Sequence, residues 1–220
     1  MREFMINNLT LLVFIIVAAE LVLGTLLFMQ YLKDRNLCTL CMLLISIGLI
    51  LDAFLIGIGK FMPSGPIEGL SRVRFICHGG LIPLIFPICG YGLKFKKNVM
   101  RVLWVITGAI IILGIAHGFA LNLELKQMGE VVRHVSENSP VWAEKVSRIL
   151  SYGTVIPLMI VGIIVWIKNK VPHLFLSGFF MFLFSALGPA TGNFDLIFFI
   201  SMIGELLMVT FFLAYAKLQK

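Results

Sequence analysis

Apolar residues run along this chain in blocks of roughly 20, separated by short polar, charged or Gly/Pro-bearing connections. A block of that length crosses about 30 Å of hydrocarbon as an α-helix rising about 1.5 Å per residue. The pattern predicts membrane helices over residues 8–32, 37–61, 74–95, 99–122, 146–168, 172–190 and 194–217. The expected fold class is therefore all-α, a polytopic membrane bundle of about seven helices forming one domain over 1–220. The sixth and seventh helices are divided only by Gly188-Pro-Ala-Thr-Gly-Asn-Phe-Asp195, which reads as a tight turn or as part of a re-entrant segment. Met1-Arg-Glu-Phe followed by an apolar run and Val17-Ala-Ala19 has the look of a signal peptide. The run continues to Leu32, too far for such a leader, so an uncleaved helix is expected.

The one sizeable connection lies between the fourth and fifth helices. Its apolar residues Leu125, Met128, Val132 and Val135 recur at helical spacing, which predicts a short helix lying on the membrane surface. Ser139 and Pro140 then supply an N-cap and a first-turn proline for the fifth helix.

Composition agrees with the pattern. Of 220 residues 60% are hydrophobic and only 13% charged, and the mean hydropathy is +1.02. A soluble domain needs about a quarter charged residues, so the lipid bilayer is the expected partner. The net charge of +7 does not point to nucleic acid, because the basic residues cluster at the ends of apolar runs rather than interleaving with aromatics. One set of connections collects Lys33, Arg35, Lys94, Lys96, Lys97, Arg101, Lys168, Lys170, Lys217 and Lys220. The other holds Arg2, Lys60, Arg72, Arg74, Lys126, Arg133, Lys145 and Arg148, spread over longer loops. The dense clusters in short loops predict a cytoplasmic C-terminus and an N-terminus outside. A bacterial or archaeal cell membrane is the expected setting.

Ionisable groups inside a bilayer are costly and mark pathways or sites. Here they are Glu20, Asp52 and Glu205, with His78 and His117 near helix ends. The predicted topology places Asp52, His78 and His117 in one layer towards the outer face, with Glu20 and Glu205 nearer the midplane. An outward-opening pocket is expected to run from the histidines down to the acids. These groups share helix faces with small residues: Cys41, Gly48 and Gly59 accompany Asp52, Gly24 accompanies Glu20, Thr107 and Gly114 accompany His117, and Ser201 accompanies Glu205. Small residues let helices approach in lipid, so such faces are expected to point inward. Pro83 and Pro87, set among glycines, are expected to distort the third helix beside His78.

Two histidines and a carboxylate also form a hydrolytic zinc set, and a bis-histidine haem between the third and fourth helices is a further arrangement to test. No His-x-x-x-His or His-Glu-x-x-His motif fixes two ligands on one turn, so the cofactor stays open. His134, in the long connection, and His173, near the cytoplasmic face, are expected to be solvated.

The segments Ala19-Glu-Leu-Val-Leu, Phe28-Met-Gln-Tyr-Leu and Leu37-Cys-Thr-Leu-Cys41 resemble the first hairpin of the DsbB and vitamin K epoxide reductase type of quinone-linked thiol oxidoreductases. That resemblance implies a reactive pair, Cys38 and Cys41, at a helix N-terminus that favours the thiolate. Met42-Leu-Leu-Ile stands where DsbB has an arginine, and Cys77 and Cys89 fall in one helix rather than in a mobile loop pair.

Three functions follow from these residues. The first is binding or translocation of a small solute or lipid-like ligand by Glu20, Asp52, Glu205, His78 and His117. The second is a membrane-embedded lipid hydrolase with Asp52, His78 and His117 in catalytic roles, metal-dependent or not. The third is the thiol oxidoreductase.

Overall fold

A computed structural model describes residues 6–62, 67–192 and 196–219. Arg2 and Lys220 of the charge pattern, and Asn193-Phe-Asp195 of the last predicted turn, lie outside the described residues. Among the described residues seven spans are long and apolar enough to cross a membrane, so the all-α bundle stands. They are built from α1 (Leu9–Asp34), α2 (Leu37–Gly57) with a 3-10 turn at Ile58–Phe61, α3 (Glu68–Leu81) and α4 (Ile85–Gly92), α5 (Lys97–Ala120), α6 (Val141–Asn169), α7 (His173–Ala190) and α8 (Ile197–Ala216).

The third span is broken, as its prolines require. Pro83 and Pro87 lack the N–H groups that would bond the carbonyls of Gly79 and Pro83. The helix tightens into a 3-10 segment, Ile82–Leu84, between α3 and α4. This span also starts at Glu68 rather than at residue 74, because Arg72 closes a 2.6 Å ion pair back onto Glu68 one turn earlier.

The long connection corrects two expectations. It forms an antiparallel hairpin, β1 (Leu123–Met128) with β2 (Val131–Ser136), rather than a surface helix. Three valines favour the strand, and Gly129, at φ +57°, opens a two-residue turn between the paired Met128 and Val131. Ser139 does not cap the fifth span by its side chain. Its Oγ accepts from the Asn122 N–H at 3.0 Å, closing the base of the hairpin, while α6 starts at Val141 with Pro140 as the residue before it.

The spine of the bundle is α2. Its residues Cys38, Cys41, Met42, Ile45 and Leu49 pack with Ile85 and Ile88 of α4 and Phe212 of α8 in the main core. A second cluster joins Leu9 and Val13 of α1, Val131 of β2, and Phe198 and Met202 of α8 under the hairpin. The turn from α1 into α2 is closed by hydrogen bonds. Asn36 Oδ1 accepts from the Cys38 N–H at 2.8 Å, and Asn36 Nδ2 donates to Gln219 Oε1 at 2.9 Å, fastening the C-terminal end. Large apolar side chains such as Val105, Ile112 and Ile149 face outward, as a lipid-facing surface requires.

A charged cavity under the hairpin

Two helices and a strand assemble the polar end of the bundle. Along α3, Ser71, Arg74 and His78 recur at intervals of three and four and therefore share one face. Arg74, only 5% exposed, donates from Nε to Asp52 Oδ1 of α2 at 3.0 Å and from Nη2 to the His134 carbonyl of β2 at 3.0 Å. Its guanidinium also lies 4.5 Å from the centroid of the Phe75 ring. The hairpin is held at two further points: Ser71 Oγ lies 3.0 Å from His134 Nδ1, and Lys60 Nζ pairs with Glu130 at 2.8 Å.

On β2, Val131 and Arg133 share a face. Val131 enters the apolar cluster, and Arg133 places its guanidinium 5.0 Å from the centroid of the Phe198 ring of α8, its buried Nε without a hydrogen-bond partner. Burial, together with the charge of Arg74, pushes the Arg133 guanidinium down to about 9, while Asp52 and Glu205 pull the other way. It remains a cation at neutral pH. His134 is held below its ordinary value, first by burial and then by Arg74 and Arg72 against the opposing Glu68.

Between these groups lies a cavity of about 200 Å³. Asp52, Arg74, His78, His117 and Arg133 line it, and Ser147 and Ser151 of α6 add hydroxyls. The two histidines meet there because α3 and α5 cross glycine on glycine. A Cβ on Gly79 would run into the Gly114 carbonyl, and one on Gly114 into the Gly79 carbonyl. His117 is 5% exposed and both its ring nitrogens are buried without a well-formed hydrogen bond, the Gly114 backbone one turn back being within reach of the ring.

Of the five candidate site residues, the structure brings Asp52, His78 and His117 to this cavity. Glu20 and Glu205 do not line it. Glu20 is fully buried and Glu205 is 6% exposed, and both lie within electrostatic reach of Asp52. Arg74 and Arg133, which sequence reasoning counted only as loop charges, are its central residues. One signal pointed to Arg74: it precedes His78 by one helical turn, and an Asp52 set within a membrane helix needs a cation. His134 is buried rather than solvated, and His173 is half-buried, stacked on Phe211 at 6.3 Å.

The zinc reading loses its geometry, since among the described residues no three His, Cys, Asp or Glu side chains gather to hold a metal ion. Cys38 and Cys41 are free thiols, 0% and 2% exposed, packed in the main core. A second cavity, of about 410 Å³, opens at the other end of α2, lined by Asn36, Tyr91, Lys94, Asn169, Tyr215 and Gln219. From Asn36 to Asp52 the helix rises about 24 Å, and the cysteine-bearing core fills that interval.

No protein-family model matches the chain, and no curated protein is detectably similar to it in sequence.

Proposed function

We propose that this multi-pass membrane protein binds, and passes across the bilayer, a small anionic solute or the anionic head of a lipid. The observation that carries the reading is the cavity itself: two guanidinium groups face it with one carboxylate, and that carboxylate is already paired with Arg74. Arg133 is thus left as the unneutralised cation, flanked by His117, His78 and the Ser147 hydroxyl, groups suited to the oxygens of a phosphate or carboxylate, while Ser151 donates its hydroxyl to the Ser147 carbonyl. The loop charges put this cavity on the outer side and the second cavity on the cytoplasmic side. The packed core between them is the barrier that a transport cycle would have to open. A hydrolase reading has no comparable support, because Asp52 is engaged by Arg74 and no metal set assembles among the described residues.

The test is equilibrium binding to detergent-purified protein of inorganic phosphate, sulfate, acetate and a short-chain phosphatidate, with glycerol as the uncharged control. Saturable binding of anions alone is expected. Arg133→Gln should weaken it by roughly 10–150-fold, the equivalent of about 1.5–3 kcal/mol for a charge-assisted hydrogen bond. Phosphatidate binding without phosphate binding would assign the site to a lipid head, and the reverse to a free solute. Equal binding of glycerol, or anion binding unaffected by Arg133→Gln, would reject the reading.

A further inference from the structure

Among the described residues four other than glycine take a positive φ, and three of them are basic: Arg35 at 50°, Lys94 at 55° and Lys170 at 60°. They close α1, α4 and α6 on the face of the bundle that the loop charges place in the cytoplasm. A helix that ends left-handed ordinarily does so on glycine, because a Cβ makes this backbone region unfavourable. Attraction of a cation to the negative end of a helix does not account for the choice. Lys33 and Lys168 already occupy the last turns of α1 and α6, where a basic side chain meets the dipole without strain.

The three caps converge on the second cavity. Lys94 lines it directly, Asn36 follows Arg35, and Asn169 and Val171 flank Lys170. Its volume of about 410 Å³ lies within the span of about 300–1,000 Å³ usual for small-molecule sites, and no carboxylate lines it. Asp34, the acid beside Arg35 in sequence, is already engaged: Oδ1 accepts from the Asn36 N–H at 3.0 Å and Oδ2 from the Thr39 hydroxyl at 3.1 Å. Among the described residues Arg35, Lys94, Lys170 and Lys217 form no ion pair. Tyr91 accepts from Trp104 Nε1 at 3.3 Å and so keeps its own hydroxyl proton to donate into the cavity. The rim is apolar as well as basic. Leu218 is part of the lining, Leu37 and Phe95 adjoin Asn36 and Lys94, and all three are exposed.

Surplus cations, a hydroxyl donor, no acid and an apolar rim at the end of a membrane bundle match a phosphate ester whose other end is hydrocarbon. We propose that the second cavity seats the phosphate head of an anionic phospholipid from the adjoining leaflet, with Lys94 on the phosphate oxygens and the charges of Arg35 and Lys170 beside it. The site stands apart from the outer cavity and does not depend on what that cavity binds.

The test is native mass spectrometry of purified full-length protein in a neutral detergent, titrated with dioctanoyl phosphatidylglycerol, dioctanoyl phosphatidylcholine or glycerol 3-phosphate. Wild type is run beside Arg133→Gln, Lys94→Gly and the triple variant Arg35→Gly, Lys94→Gly, Lys170→Gly. Arg133→Gln silences the outer cavity, and glycine adopts all three cap conformations without strain, so the helix ends are kept. Phosphatidylglycerol should bind more tightly than either comparison compound, and the site should persist in Arg133→Gln. Affinity should fall about fivefold in Lys94→Gly and about 100-fold in the triple variant, as about 1 kcal/mol per cation near a membrane surface implies. Thermal unfolding of the lipid-free protein should meanwhile be unchanged or shifted upward in the glycine variants. Phosphatidylcholine or glycerol 3-phosphate binding as tightly as phosphatidylglycerol overturns the assignment to an anionic lipid. Undiminished phosphatidylglycerol binding in the triple variant overturns the site. Binding lost only together with a fall in the lipid-free unfolding midpoint would assign the cations to holding the helix ends, and also overturns it. Loss of binding in Arg133→Gln alone would place the lipid in the outer cavity and reject the second.

Discussion

The Asp52–Arg74 pair fixes the cavity, and its removal has a calculable cost. Arg74→Met strands Asp52 without its cation; losing one partner of a buried pair costs about 3–5 kcal/mol. Asp52 keeps 17% exposure, so the lower end applies. The lost bond to the His134 carbonyl adds about 1 kcal/mol, giving about 4 in all. Asp52→Asn keeps an acceptor and should cost about 2 kcal/mol, while the double variant, with no stranded charge, should cost about 3. The resulting coupling of about 3 kcal/mol lies at the upper end for residues in contact. Equilibrium unfolding in mixed detergent micelles, followed by far-ultraviolet circular dichroism, reads all four proteins. Single costs that add to within about 0.5 kcal/mol would show that the two side chains do not depend on each other, and the reasoning would fail.

Three further outcomes are expected. Gly79→Ala drives a methyl group into the Gly114 carbonyl, so it should cost about 1–3 kcal/mol and weaken anion binding, whereas Gly108→Ala, which meets nothing, should be silent in a thermal-unfolding and binding comparison. His134 is held below 6.5 in the docked hairpin, so the undocked state binds more protons between that lowered value and 6.5. Docking should therefore weaken as pH falls through 6.5 and level off below the docked value. Amide exchange of Val131–Ser136, corrected for intrinsic rates, should accelerate over that window in wild type and stay flat in His134→Gln. In detergent, a maleimide reagent should modify half-buried Cys77 well before Cys38 and Cys41; fast labelling of the Cys38–Cys41 pair would instead favour the thiol-oxidoreductase reading.

What the sequence disclosed follows from the size of each signal. A membrane helix is specified by some 20 consecutive residues, so all seven spans were legible, as was the break at Pro83 and Pro87. The hairpin was not, because Leu125, Met128, Val132 and Val135 fit a helical period by coincidence, and pairing across Gly129 overrode it. That single error hid the site's chemistry, since Arg133 and His134 then looked like solvated surface groups. Arg74 was masked differently: a boundary set six residues late turned a buried ion-pair residue into a topological loop charge. Asp52, His78 and His117 could be grouped from helix direction alone, because depth along a helix follows from counting residues. The crossing of Gly79 on Gly114 that sets the two histidines beside each other is a pairing between distant segments, which periodicity cannot specify.

The claim at the centre of this account is that the Arg133 guanidinium receives an anion within the cavity. Its most direct test is solid-state nuclear magnetic resonance of membrane-reconstituted protein, with nitrogen-15 in the arginine side chains and inorganic phosphate as the probe. The account predicts a short-range phosphorus–nitrogen dipolar contact that disappears in Arg133→Gln and survives in Arg148→Gln. Absence of the contact at saturating phosphate, or its persistence in Arg133→Gln, would contradict it.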